Sequence, residues 1–495
     1  MPQRTIVLLL ALALSSSGLV AQLSTPLEAK AFVRVTEHAE MLEFLRAADA
    51  SSERISLETA GKSALGREIP LVILRGPSDK NGSPRLRVLL FCQQHGNEPS
   101  GKEAALQLIA RAASGALDTL LAQVDLFVIP SVNPDGNEAG KRQNGNGADL
   151  NRDHLLLSQP ETRALHAVFN RWRPEVTLDV HEFGALGREW MEAGYVRAMD
   201  EQFGAPTNPN VAQPLVRFAL QRMFPALEAE LREQGVHFFN YIIIDGPRDT
   251  PRHSTTAIND GRQSLAILNT FSFILEGRNG RSMHEDLARR TKGQVVAITA
   301  FLRFVAARAG EIRLLVLEER HRNLARQDSV ALVMDHVHDG SMIVIPVTTV
   351  PGGNDSTVSV PHRPVVKTFV TVSRPQGYVL PRMTTGALEI LQRHGIESRT
   401  LQRDTTLVVE AAVITRVDTV EREGMNILSP SYTVQRTQRQ FQAGDVLVPL
   451  QQLHATMLVI ALEPASMWGL VQDSLFAPWR AAGREYPVYR LPSQE

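Results

Sequence analysis

The chain has 495 residues, 43% of them apolar and 21% charged, and a net charge of -1. That length predicts two or three domains, and the composition is that of a globular protein rather than a disordered or fibrous one. Near-neutrality gives no basis for an electrostatic grip on nucleic acid or an anionic membrane.

The N-terminus carries Arg4, nine apolar residues from Ile6 to Leu14, then small residues up to Ala21. This reads as a secretory leader cut after Ala21, and export follows, periplasmic or secreted. The apolar run is too short to span a bilayer, which takes about 20 residues. Cys92 is the only cysteine, so no intramolecular disulfide can form. It ends an apolar run and reads as a small buried hydrophobe.

From about Leu27 to Ala307, short apolar runs alternate with amphipathic helical patterns. Strands are predicted at Ile69 to Arg75, Leu86 to Cys92, Val124 to Ile129, Val176 to Val180 and Ser272 to Leu275. Helices are predicted at Gly101 to Ala113, Glu161 to Trp172, Val211 to Glu233 and His284 to Ala306. This alternation predicts an α/β fold, a sheet covered by helices on both faces. In such sheets ligands bind beyond the carboxyl ends of the strands. His95, Asn133, His181 and Glu276 all sit at or just past such ends.

After about Glu311 the texture becomes Val/Thr-rich and alternating, at Val358 to Val360, Val366 to Val372 and Thr406 to Val420. Helices are predicted near Thr384 to His394 and Leu450 to Leu462. The expected organisation is a leader (1–21), a catalytic domain (22–310) and a mostly β accessory domain (311–495).

The chemistry is concentrated at His95-Gly96-Asn97-Glu98, where a strand ends and a helix is about to begin. A His and a Glu three residues apart can turn onto one metal ion. The spacing alone is weak, since a chain of this composition holds roughly one such pair by chance. A second copy, His394-Gly395-Ile396-Glu397, has no further ligand nearby and reads as a helix end. His336 and His338 could share a strand face but lack a third partner. A catalytic zinc takes three protein ligands and leaves one position open, and two His with one Glu is a known set. His181 is the third candidate; its bland alternative is a strand-end histidine bonded to Asp179. Glu276, desolvated at an apolar strand end, suits a proton shuttle. Glu182 is a rival base, but strand alternation turns it from the face His181 uses. The loop Gly140 to Asp153 offers Arg142 and Arg152 for an oxyanion or a carboxylate.

In this order, Gly61 to Ile69, His95 to Glu98, Asn133 to Gly136, Arg142, Asp149 to Arg152, His181 and Glu276 make a recognisable series. Over about Leu27 to Ala307 the chain resembles the carboxypeptidase A-like zinc metallocarboxypeptidase family. The resemblance implies that family's mixed sheet flanked by helices and one Zn2+ per chain on His95, Glu98 and His181. It implies Glu276 as general base and acid acting on a zinc-bound water, and Arg142 as the group that polarises the carbonyl. Asn151 and Arg152 would hold the free carboxylate of a peptide substrate, and Asp149 would orient His95. The family's substrate-capping tyrosine, some twenty residues before the catalytic Glu, has no counterpart between Ile242 and Leu275. Tyr241 lies too early for it, and His253 is a possible stand-in. The leading reading is an exported zinc carboxypeptidase. A zinc amidohydrolase or deacylase acting on acyl-amino acids or cell-wall peptides, and a catalytically inactive binding relative, are the alternatives.

Overall fold

The computed structural model describes residues 23–76, 84–325 and 328–492, so the leader and its expected cut lie outside the described residues. Nine strands precede residue 280: β1 (Ile55–Lys62), β2 (Glu68–Leu74), β3 (Leu86–Cys92), β4 (Val124–Ile129), β5 (Val176–Phe183), β6 (Tyr195–Arg197), β7 (Glu201–Gly204), β8 (Phe238–Asn240) and β9 (Phe271–Arg278). Eight of them form one mixed sheet in the order β1-β2-β4-β3-β5-β9-β7-β8. Its centre, β4-β3-β5-β9, is parallel, and the antiparallel pairs lie to either side.

The central strands read as near-continuous apolar runs because both of their faces are covered. Along β3 the side chains alternate between two cores. Val88, Leu90 and Cys92 join Ala105, Ile109, Ile298 and Phe301 from the helices Ser100–Ala113 and Leu287–Ala307. Leu89 and Phe91 face Leu165 and Phe169 of the helix Pro160–Trp172. Cys92 is fully buried in the first core, as a small hydrophobe would be.

The second core does not stop at residue 310. Tyr378, Leu380, Ile390, Ile414, Val448, Leu458 and Ile460 belong to the same cluster as Leu89 and Phe169. The C-terminal half is mostly β, as expected, but it shares one apolar core with the catalytic half rather than standing apart from it. A second tie is covalently remote: the hairpin Met342–Thr349/Asp355–Pro361 pairs with β6.

Several elements differ from expectation. The helix predicted over Val211 to Glu233 begins at Gln213 and contains a π turn at Ala219–Met223, just before Pro225. Here the ring nitrogen of proline cannot continue the ladder. The helix Ala309–Ala325 was not expected, because its buried positions include Glu319 and Asn323 while Leu314 and Leu317 face solvent. The strand Met425–Phe441 was also missed. Its Arg-, Gln- and Thr-rich face is exposed, and only its long pairing with Thr405–Arg422 makes it a strand. No helix among the described residues is long and apolar enough to cross a membrane.

Candidate metal centre and active site

The chain leaves β3 through Gln93, which takes a left-handed backbone with φ of 58°. Its side-chain amide donates to Gly96 O at 2.9 Å and Asn137 Oδ1 at 2.7 Å, which holds the turn. Gly96 must be glycine, since a Cβ there would overlap the backbone of Gly136. This turn brings His95 and Glu98 back over the end of the sheet. His181 comes from near the end of β5, one parallel strand away.

The three side chains converge. His95 Nδ1 lies 2.9 Å from Glu98 Oε1, His181 Nδ1 lies 2.9 Å from Glu98 Oε2, and the two Nδ1 atoms are 3.1 Å apart. Their outer nitrogens are held from behind. His95 Nε2 is 3.1 Å from Asp149 Oδ1, and His181 Nε2 is 2.9 Å from Asp179 Oδ1. Both imidazoles therefore present Nδ1 to one point, with ring orientation fixed by a carboxylate. This is the donor set and backing that a catalytic zinc uses. Among the described residues, it is the only group of three metal-ligating side chains gathered this closely, with ligand atoms within 4.8 Å of one another.

The charges fit a cation. Burial pushes the Glu98 carboxyl up, but His95 and His181 outweigh it and hold the group well below the usual carboxylate range. Burial likewise raises Asp149, and the bond to His95 more than reverses it. For His181, burial favours the neutral ring, yet Asp179 and Glu98 drive its affinity for a proton well above normal. A cluster that holds excess positive charge so readily would exchange protons for a metal dication.

Glu276 is the register partner of His181, on β9 beside β5. No hydrogen bond or ion pair holds its carboxylate among the described residues, and it is only 9% exposed. Burial, opposed by His181 and reinforced by Glu98, pushes it up to about 7. Glu182, next to His181, points the other way and forms a two-pronged pair with Arg290 at 2.8 Å for each contact. It has no freedom left for catalysis.

His95, Glu98 and Glu276 line a cavity of about 550 Å³ together with Arg142, Asn151 and Arg152, and His181 joins it through its contacts with His95 and Glu98. Arg142 is anchored on Asp149 Oδ2 at 3.0 Å and reaches Glu98 Oε1 at 3.5 Å. Arg152 donates to Asn151 O at 2.6 Å and is otherwise turned to solvent. Asn151 is more tightly engaged: its Oδ1 accepts from Gly261 N at 2.7 Å and its Nδ2 lies 3.3 Å from His181 Nε2.

The cavity also contains residues that the sequence did not single out: Arg197, Arg252, Arg262, Glu423, Met425 and Trp468. The last three come from beyond residue 420, and no local motif marks them. Tyr241 lines it too, with no hydrogen bond to its hydroxyl among the described residues, so a tyrosine earlier in the chain than the family's capping residue still reaches the site. Its position at the end of β8, on the sheet edge, carries it inward. His253 Nδ1 instead donates to Tyr241 O at 3.0 Å, and the ring packs against His362 outside this cavity. His336 lies 3.2 Å from Glu423 Oε1, His338 bonds to His362 O, and His394 bonds to Leu155 O at 2.8 Å, each a structural contact.

Residues 41–191 match the family model described as zinc carboxypeptidase, Peptidase_M14. The chain carries a zinc carboxypeptidase domain. Among its relatives is Carboxypeptidase 2 of Trichophyton rubrum, 24% identical over 478 residues, 92% of this chain and 86% of that protein. Carboxypeptidase SOL1 of Arabidopsis thaliana is 35% identical over 127 residues, 22% of this chain and 25% of its own. A metallo-carboxypeptidase from Burkholderia cenocepacia is a structural neighbour, with a TM-score of 0.44 and 17% identity, over 56% of this chain and 71% of that one. The enzyme is a zinc metallocarboxypeptidase, and its cofactor is one zinc ion, for which His95, Glu98 and His181 are a fitting donor set.

Proposed function

We propose that this carboxypeptidase is exported and removes single residues from the free C-termini of peptides, with His95, Glu98 and His181 holding the zinc. Zinc at that point supplies a Lewis acid for the scissile carbonyl and a lowered pKa for water. Glu276 takes the proton from the attacking water and returns it to the departing amine. Its freedom from protein partners and its raised proton affinity support this role, since a shuttle must both accept and release near neutral pH.

Arg142 faces the developing oxyanion. Asp149 and Glu98 on one side keep its guanidinium in place, while 40% of the side chain remains exposed for the substrate. Fixed donors of this kind stabilise charge that develops only in the transition state. Arg152 holds the terminal carboxylate, and Asn151 joins it through Nδ2, its oxygen being anchored by Gly261 N. Export rests on the leader pattern through Ala21.

The observation that carries the reading is the meeting, in one cavity, of the His-Glu-His cluster, an unpartnered Glu276 and a solvent-facing Arg152. The amidohydrolase alternative drew on a missing tyrosine, and Tyr241 lines this cavity. The test is incubation of the zinc-loaded chain with a peptide mixture in free-acid and C-amidated forms, read by mass spectrometry. Loss of one C-terminal residue from free acids only is expected. Cleavage of acyl-amino acids without peptides would move the assignment to a deacylase.

A further inference from the structure

Among the charged groups of the cavity to which the hydrolytic reading gives no task, Arg262 is the one with two nitrogens left unpaired by the described residues. Arg262, on the short helix Gly261–Ala266, is 1% exposed. Its Nη2 donates to Ser254 Oγ and lies 3.5 Å from Asp260 Oδ2. Nε and Nη1 have no hydrogen-bond partner among the described residues. Asp260 is a weak counter-charge: its other oxygen caps Gln263 N at 2.6 Å, and burial pushes its carboxyl up. A guanidinium is always charged and carries its donors in a fixed fork. Leaving two of its nitrogens desolvated and unpaired is costly, and such exceptions call for a missing partner.

Arg262, Tyr241 and Ile274 line a recess of the cavity that also holds Glu276. Gly204 on β7 backs it, its bare backbone packed directly against Arg262. A Cβ placed there would meet Arg262 Nη1 at 2.6 Å, Ile274 Cγ2 at 2.7 Å and Tyr241 Cβ at 3.0 Å. Ile274 lies two residues before Glu276 on β9, so both side chains point to the same face of the sheet. The recess is therefore beside the reacting centre, with apolar sides and a cationic end.

We propose that Arg262 reads the side chain of the substrate's C-terminal residue, and that this residue is acidic, glutamate or aspartate. The proposal rests on the carboxypeptidase reading above and names its substrate class. A side-chain carboxylate can accept from Nη1 or from Nε, which face different sides of the guanidinium, while its methylenes lie against Ile274 and Tyr241. An aliphatic side chain leaves the guanidinium unpaired in a dry recess. A lysine or arginine side chain adds a second positive charge. The neutral amide of glutamine matches the shape but not the charge.

The test uses the zinc-loaded full chain and four free-acid peptides that differ only in a last residue of Glu, Gln, Leu or Lys. kcat/KM for the Glu peptide is expected to exceed the other three by on the order of a hundredfold. Arg262→Met is expected to lower the Glu value by a similar factor and raise the Leu value, whereas Arg262→Lys keeps the acidic preference. Leu or Lys peptides cleaved as fast as Glu overturn the specificity and leave the carboxypeptidase standing. An acidic preference that persists in Arg262→Met overturns the role of this residue. Failure to cleave any of the four overturns the carboxypeptidase reading and this proposal with it. If Arg262→Met does not fold, the wild-type ranking and the Lys variant still decide the matter.

Discussion

The carboxylate of Glu423 accepts the backbone N–H of Thr256 at 3.0 Å, although 167 residues separate them. Glu423 lies at the tip of the hairpin Thr405–Arg422/Met425–Phe441, in a left-handed backbone with φ of 51°. It also accepts from Thr256 Oγ1 at 2.8 Å and Thr255 Oγ1 at 2.7 Å, and faces Arg252 at 3.6 Å. Trp468 Nε1 donates to Thr256 Oγ1 at 3.0 Å from the other side. The C-terminal half thus holds the segment that leads into Asp260 and Arg262, and closes one wall of the cavity.

Replacement of Glu423 by Ala removes one acceptor from several donors at once, and Arg252 loses its counter-charge. A destabilisation of about 3 kcal/mol is expected, read by urea unfolding. KM should rise more than kcat falls, because the segment borders the substrate rather than the reacting atoms. Burial alone would raise this carboxyl, but His336 and Arg252 hold it below its ordinary 4.5. A depressed acid contributes stability above its unfolded pKa, so this contribution is present above about pH 4.5 and lost as pH falls further. An alanine variant with unchanged KM and unchanged acid stability would remove this role.

Glu276→Gln keeps the shape and deletes the proton acceptor. Turnover is expected to fall by about 10²–10⁴ while zinc content stays at one ion per chain. Retained activity with bound metal would assign the base elsewhere.

The acid limb of kcat/KM should report the same group. Glu276 acts as a base only when deprotonated, so activity rises with pH. Burial places its pKa near 7 against an ordinary 4.5, and a bound dication draws it back toward acid. The limb is expected between about 4.5 and 7 in the zinc enzyme. A limb below pH 4 would show that burial has no net effect on the active group.

Chelation should abolish activity and zinc should restore it. Asp179→Asn and Asp149→Asn test the carboxylates behind the two imidazoles. Each is expected to weaken zinc affinity by about 10–100-fold, measured by competition with a metal indicator, with the ligands themselves intact. Wild-type affinity in both variants would mean that ring orientation is fixed by packing alone.

Glu182→Gln strips Arg290 of its buried partner. Neither residue is exposed by more than 1% in its side chain. A loss of about 3–5 kcal/mol is expected, seen as a lower unfolding midpoint, since the remaining guanidinium is left uncompensated. An unchanged midpoint would show that water reaches this site.

What the sequence determined by itself was local. Apolar runs placed β3, β4, β5 and β9, because a strand covered on both faces needs such a run whatever surrounds it. Strand ends placed His95, His181 and Glu276 where a parallel sheet opens, and the resemblance supplied their roles. What the tertiary structure decided was everything that depends on distant partners. The polar strand Met425–Phe441 exists only through its pairing, and the helix Ala309–Ala325 buries polar residues that periodicity assigns to solvent. Tyr241 reaches the cavity because β8 ends there, not because of its distance from Glu276 along the chain. Arg262 sits in an unremarkable stretch, Gly261–Ala266, and becomes informative only when burial leaves its nitrogens unpaired. Glu423 and Trp468 meet the catalytic half because the two halves share one core. Spacing along a chain fixes which residues lie near one strand end; only packing fixes which charges have no partner.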